Sequence, residues 1–106
     1  MGKISIKINH VALEVLCAVI EDAQLHQIWT REQKVVRSIM WDVTQYLLKK
    51  EISKRHTVNK FKMSFKYHEA FALENSCRTL YEHCQHTDTY AAHVALDVAN
   101  QIDKQL

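Results

Sequence analysis

The chain opens with an alternation of polar and apolar residues. Between Lys3 and Ile8 the side chains of Ile4, Ile6 and Ile8 fall on one side, the period-two pattern of a half-buried strand. The alternation returns between Lys60 and Tyr67. There Phe61, Met63, Phe65 and Tyr67 lie on one side and Lys60, Lys62, Ser64 and Lys66 on the other. Two short strands are expected, although the second segment also fits the opening of a helix.

Between and after these segments the period lengthens. Asn9 is placed to cap a helix whose residues from Val11 to Ile20 are apolar nearly all round, with Glu14 as the one charge. Such a helix is expected to be buried on most of its circumference or shared with another subunit. The pattern turns polar at Glu21 and Asp22 and recovers at Leu25, Ile28 and Trp29. Thr30-Arg31-Glu32-Gln33 fits a capping box. It opens a second helix that runs to about Glu51 with Val36, Ile39, Met40, Val43, Tyr46 and Leu47 in its stripe. Trp41 lies off that stripe, and an exposed Trp there would favour a protein interface. Ser53 to Asn59 reads as a polar connection. A third helix starts near His68, with Ala70, Leu73, Cys77, Leu80, Tyr81 and Cys84 on one face. After a turn at Gln85-His86-Thr87-Asp88, a fourth carries Ala91, Val94, Ala95, Val98, Ile102 and Leu106.

The order strand, helix, helix thus occurs twice. Lys3-Ile4-Ser5-Ile6-Lys7-Ile8-Asn9 can be laid over Lys62-Met63-Ser64-Phe65-Lys66-Tyr67-His68, and Trp41-Asp42-Val43 over Leu96-Asp97-Val98. We expect an α+β, mostly helical fold built of two βαα repeats, residues 1–55 and 56–106, in a single domain spanning 1–106. Two helices between the strands return the chain so that the strands run antiparallel, and the two-stranded sheet packs on four helices. A hairpin-sized sheet is marginal alone, so the helices must supply most of the buried area. Its two edges are expected to be open, one of them available to a second copy. The alternative is an all-α four-helix bundle.

Composition narrows the class. A chain of 106 residues with 47% apolar and 25% charged side chains is a globular domain rather than a disordered segment. One Gly and no Pro favour long helices and remove any glycine-built phosphate loop. Three Cys without framework spacing argue for a reducing compartment, and a cytoplasmic location is expected. No apolar run is long enough to span a bilayer and no signal-peptide pattern opens the chain. Met1-Gly2 is not followed by the Ser or Thr at position six that myristoylation needs, since Ile6 stands there.

Candidate chemistry is sparse. His83, Cys84 and His86, with Cys77 one heptad earlier, carry zinc-type donors. However, Cys77 and Cys84 lie about 10.5 Å apart along a helix axis, whereas two thiolates on one zinc sit within about 4.6 Å. Cys84 near a helix C-terminus is at the wrong end of the dipole for a nucleophilic thiolate. His68-Glu69 begins like a zincin motif, but Ala72 stands where its second His belongs. Glu69 is instead a first-turn carboxylate. No metal, cofactor or catalytic residue is assigned, and an enzyme is not expected.

Charge is the more informative signal, since Lys49, Lys50, Lys54, Arg55, Lys60, Lys62 and Lys66 are accompanied by one acid, Glu51, in a chain whose formal net charge is +2. The seven cations are the candidate nucleic-acid contacts. Against that reading, the neighbouring aromatics alternate onto the opposite strand face. The leading expectation is a non-catalytic protein-interaction or assembly module, homodimeric or bound to another protein, with no membrane role. A nucleic-acid-binding accessory protein using residues 49–66 is the alternative.

Overall fold

The computed structural model describes residues 3–26, 31–55 and 59–106, with the side chains of 22–26 and 31–37 left out of that description. The elements follow the order β1 (Ile4–Ile8), α1 (His10–His26), α2 (Arg31–Ser53), β2 (Phe61–Phe65), α3 (Tyr67–Cys84) and α4 (Thr89–Asp103). The fold is α+β and mostly helical. The strands pair antiparallel, with Ile4 opposite Phe65, Ile6 opposite Met63 and Ile8 opposite Phe61. That pairing sets the all-helical alternative aside. The expected Thr30 cap and the Ile28–Trp29 junction lie outside the described residues, as do the side chains of Leu25, Gln33 and Val36.

Local chemistry explains the boundaries. Asn9 Oδ1 accepts from the Ala12 amide at 2.8 Å, so the cap that starts α1 is formed. The Lys66 amide donates to Glu69 Oε1 at 2.9 Å, half of a capping box that stops β2 and turns the chain into α3. Asp88 Oδ1 accepts from the Ala91 amide at 3.1 Å and opens α4. The strand-two alternation therefore ends at Phe65. Tyr67, expected on its inner face, is the first residue of α3 and is 62% exposed. Both strands pass into a helix across a single residue, Ile8-Asn9-His10 and Phe65-Lys66-Tyr67. The overlay of Ile8 on Tyr67 is two residues out of step with these passages.

One apolar cluster draws on every element: Ile4, Ile6 and Ile8; Leu13, Leu16, Cys17 and Ile20; Met40, Val43 and Leu47; Met63 and Phe65; Leu73, Cys77 and Leu80; and Val98, Ala99 and Ile102 among others. Small residues on α3 and α4 (Ala70, Ala72, Ala91, Ala92, Ala95, Ala99) are buried, and these two helices pack together. Leu106, expected to continue the α4 stripe, lies beyond the helix and is exposed. Tyr46 meets Phe65 edge-on at 5.4 Å between ring centroids and joins α2 to the sheet.

The sheet does not leave both edges open. Gln101 on α4 and Gln105 in the turn that follows it present their side-chain amides to the outer edge of β1. The Lys7 amide donates to Gln101 Oε1 at 2.8 Å, and Gln101 Nε2 donates to the Lys7 carbonyl at 2.9 Å. The Ser5 amide donates to Gln105 Oε1 at 3.0 Å, and Gln105 Nε2 returns a bond to the Ser5 carbonyl. Each glutamine replaces one peptide of a missing third strand.

Candidate interaction surfaces

Helix α1 is less enclosed than its composition implies. Leu13, Leu16, Cys17 and Ile20 are buried, whereas Val11, Glu14, Ala18 and Glu21 form an exposed flank at spacings of three and four. Helix α2 adds a second flank. Trp41, Gln45, Leu48 and Ile52 recur at helical spacing on one side; Trp41 and Ile52 are each 62% exposed and Leu48 is half-buried. The two helices pack together, and His10 of α1 touches Glu51 of α2, so Val11 and Ile52 each follow a residue of that contact. These are large apolar side chains left exposed on adjoining helices, outside the core cluster.

A polar network lies at the end of the α1–α2 contact. Glu51 is buried, and its Oε1 accepts from Arg55 Nε at 3.3 Å while Oε2 accepts from Arg55 Nη2 at 3.2 Å. His10 Nε2 lies 3.0 Å from Oε1. The Arg55 hydrogen bonds, and after them the His10 contact, hold the Glu51 carboxyl below its ordinary range against the opposing effect of burial. Donor atoms of His10, Glu14 and Glu51 come within 4.8 Å of one another, a set that could hold a cation. The guanidinium of Arg55 already engages both oxygens of Glu51, so a metal would have to displace it. The Arg55–Glu51 ion pair lies at the end of α2, and the His10–Glu51 contact ties it to the start of α1. The sequence held two of its signals: Glu51 as the only acid among the seven cations, and the Glu51–Arg55 helical spacing. The third partner, His10, comes from a distant segment and carries no local signal.

The seven candidate cations separate into different environments. Arg55 is engaged by Glu51. The Lys50 ammonium lies 5.9 Å from the Tyr46 ring centroid and that of Lys54 lies 5.7 Å from the Phe61 ring. Lys49, Lys60, Lys62 and Lys66 are exposed. Lys62 faces Lys7 across the sheet, so the outer face carries a like-charged pair.

The zinc-type residues do not converge. Cys77 is fully buried, while His83 and His86 are exposed. Burial pushes the Cys77 and Cys17 thiols up to about 12, which makes both poor nucleophiles. A cleft of about 180 Å³ is lined by Lys7, Asn9, Lys60, His93 and Asp97 among others, smaller than the pockets that bury small-molecule substrates. Among the described residues no helix is long and apolar enough to cross a membrane. No family model, curated protein or solved structure matches this chain.

Proposed function

We propose that this chain is a non-catalytic interaction and assembly module that forms a homodimer through the α1–α2 flank. The observation that carries the reading is the exposure of Trp41, Ile52 and Val11 on two adjoining helices. A two-fold contact suits this flank because it holds both signs of charge beside its apolar centre: Glu14 and Glu21 on α1, Arg55 after α2. Acids of one protomer can then meet the guanidinium of its partner. Buried thiols at Cys17 and Cys77 fit a reducing, cytoplasmic setting. We read residues 1–55 and 56–106 as descendants of one duplicated βαα unit within a single domain. The support is the shared order of elements and the matching strand–cap–helix passages at Ile8-Asn9-His10 and Phe65-Lys66-Tyr67.

Sedimentation velocity over a wide concentration range tests the dimer. The weight-average mass should rise towards twice the 12.4 kDa of one chain. Ile52→Glu should weaken association about tenfold or more while leaving the circular-dichroism spectrum intact, as expected for a central apolar anchor. A dimer insensitive to Ile52→Glu and Trp41→Ala would place the contact elsewhere.

A second reading, nucleic-acid binding through the 49–66 segment, is favoured by the exposed row Lys60, Lys62 and Lys66. It requires affinity that falls steeply with salt. Charge reversal at Lys54 and Arg55 should weaken binding, and no binding at low salt would remove the reading.

A further inference from the structure

The register of the sheet fixes which backbone groups remain unpaired. In an antiparallel ladder, two residues directly opposite either exchange hydrogen bonds with each other or both point away. Ser5 and Lys7 give their amides and carbonyls to Gln105 and Gln101 on the outer edge of β1. They therefore point away from β2, and so do their partners Ser64 and Lys62 on the opposite edge. The 3.1 Å contact between Ser5 Oγ and Ser64 Oγ fits this phase, because side chains approach most closely at pairs that do not exchange backbone bonds. Among the described residues nothing bonds to the backbone of Lys62 or Ser64 on that edge. Two glutamines close one edge of the sheet, while on the other the outward groups of Lys62 and Ser64 have no partner among the described residues.

The bare edge is strongly cationic. Lys60, Lys62 and Lys66 are exposed along it, and Lys7 faces Lys62 from the neighbouring strand. On the helix side of β2, Lys54 and Lys50 lie over the Phe61 and Tyr46 rings. Among the described residues, Arg55 is the one of the seven cations between residues 49 and 66 whose charged side chain meets a carboxylate. Two copies of β2 placed edge to edge would bring these lysine rows together, which disfavours self-pairing. An anionic strand would relieve the Lys7–Lys62 repulsion instead.

We propose that the free edge of β2 binds an extended acidic segment of a partner protein by strand addition, with the amides and carbonyls of Lys62 and Ser64 supplying the ladder and Lys60, Lys62, Lys66 and Lys7 selecting for acid. The pleat sets the pattern of the segment. Positions on the outer face, beside the lysines, take Asp or Glu. The alternate positions turn towards half-buried Phe61 and take apolar residues. This surface is separate from the α1–α2 flank, so the proposal deepens the interaction reading by naming a partner class without depending on the dimer.

The test uses the full chain and a blocked seven-residue peptide alternating Glu and Val, labelled for fluorescence anisotropy, with amide chemical shifts recorded in parallel. Binding should be saturable, shift the amides of Lys62 and Ser64, and weaken as salt is raised. Methylating alternate peptide nitrogens, which keeps the charge and removes ladder donors, should lower affinity at least tenfold. Lys62→Glu should do the same. Ser64→Pro removes an outward amide that the β1–β2 ladder does not use, a position where an edge strand tolerates proline, and should also block binding. If that variant misfolds, the methylated peptide still decides on the unaltered protein. Equal binding of methylated and unmethylated peptides would reduce the surface to nonspecific charge attraction and overturn the proposal. Tighter binding of a single-stranded oligonucleotide that displaces the peptide would overturn it in favour of nucleic acid, and absence of binding at low salt would overturn it outright. Ile52→Glu should leave peptide affinity unchanged, so failure of the dimer and failure of the edge are read separately.

Discussion

Single side chains set where each element begins, and their contributions are separable. Asn9 and Asp88 each accept a backbone amide at the start of a helix. Replacing either by Ala should cost about 1 kcal/mol in urea denaturation. Glu51 adds a pH dependence. Its carboxyl is held below the ordinary value of 4.5 in the folded chain by Arg55 first and His10 second. A carboxyl depressed on folding stabilises the fold above its unfolded value. That contribution fades as the pH falls below about 4.5 and through the lower folded value. The stability difference between the parent chain and Glu51→Gln should therefore be largest near neutrality and shrink as the pH falls below about 4.5. A difference that does not change with pH would show that the carboxylate charge is not what ties α1 to α2. The buried thiols give a further check. With Cys84 replaced by Ser, a thiol reagent at pH 8 should find almost no reactive group until denaturant exposes Cys17 and Cys77.

Among the elements, the sheet is the part most dependent on its neighbours. Two five-residue strands would not persist alone. They persist because Ile6, Met63 and Phe65 are buried against the helices and because Gln101 of α4 and Gln105 just after it supply the bonds of a third strand. Gln101→Ala with Gln105→Ala should destabilise the fold by about 1–3 kcal/mol, since four edge bonds are lost but water partly replaces them. The double variant should also exchange the Ser5 and Lys7 amides faster with solvent. Lys7→Glu should stabilise the fold by up to about 1 kcal/mol by turning a like-charged cross-strand pair into an attractive one.

Both strands and all four helices were legible in the sequence because each is set by a local period, two or about 3.6 residues, and by local caps. Tyr67 was misplaced because one more alternation cannot be told from a first helical turn until Glu69 is seen to cap the Lys66 amide. The closure of β1 by Gln101 and Gln105 was not legible. It joins residues about a hundred positions apart, and glutamines on a helix carry no periodic signature. The His10–Glu51 contact was hidden for the same reason. The basic segment was visible as charge, but its division into engaged and exposed cations depends on rings and carboxylates that only the packed structure brings near.

For the whole molecule, the apolar inventory exceeds what one core encloses. The cluster fills with residues from every element, and Trp41, Ile52 and Val11 are left outside it on adjoining helices. In the proposed dimer these side chains would be covered by the partner. The cationic edge of β2 is the second face that the proposals assign to a partner, with different chemistry. Light scattering of the intact chain across a hundredfold concentration range, repeated with Ile52→Glu, tests this most directly. The account expects the parent chain to approach 24.8 kDa, twice 12.4 kDa, and the variant to stay near 12.4 kDa at the same concentrations. A parent chain that scatters as 12.4 kDa up to millimolar concentration would contradict it.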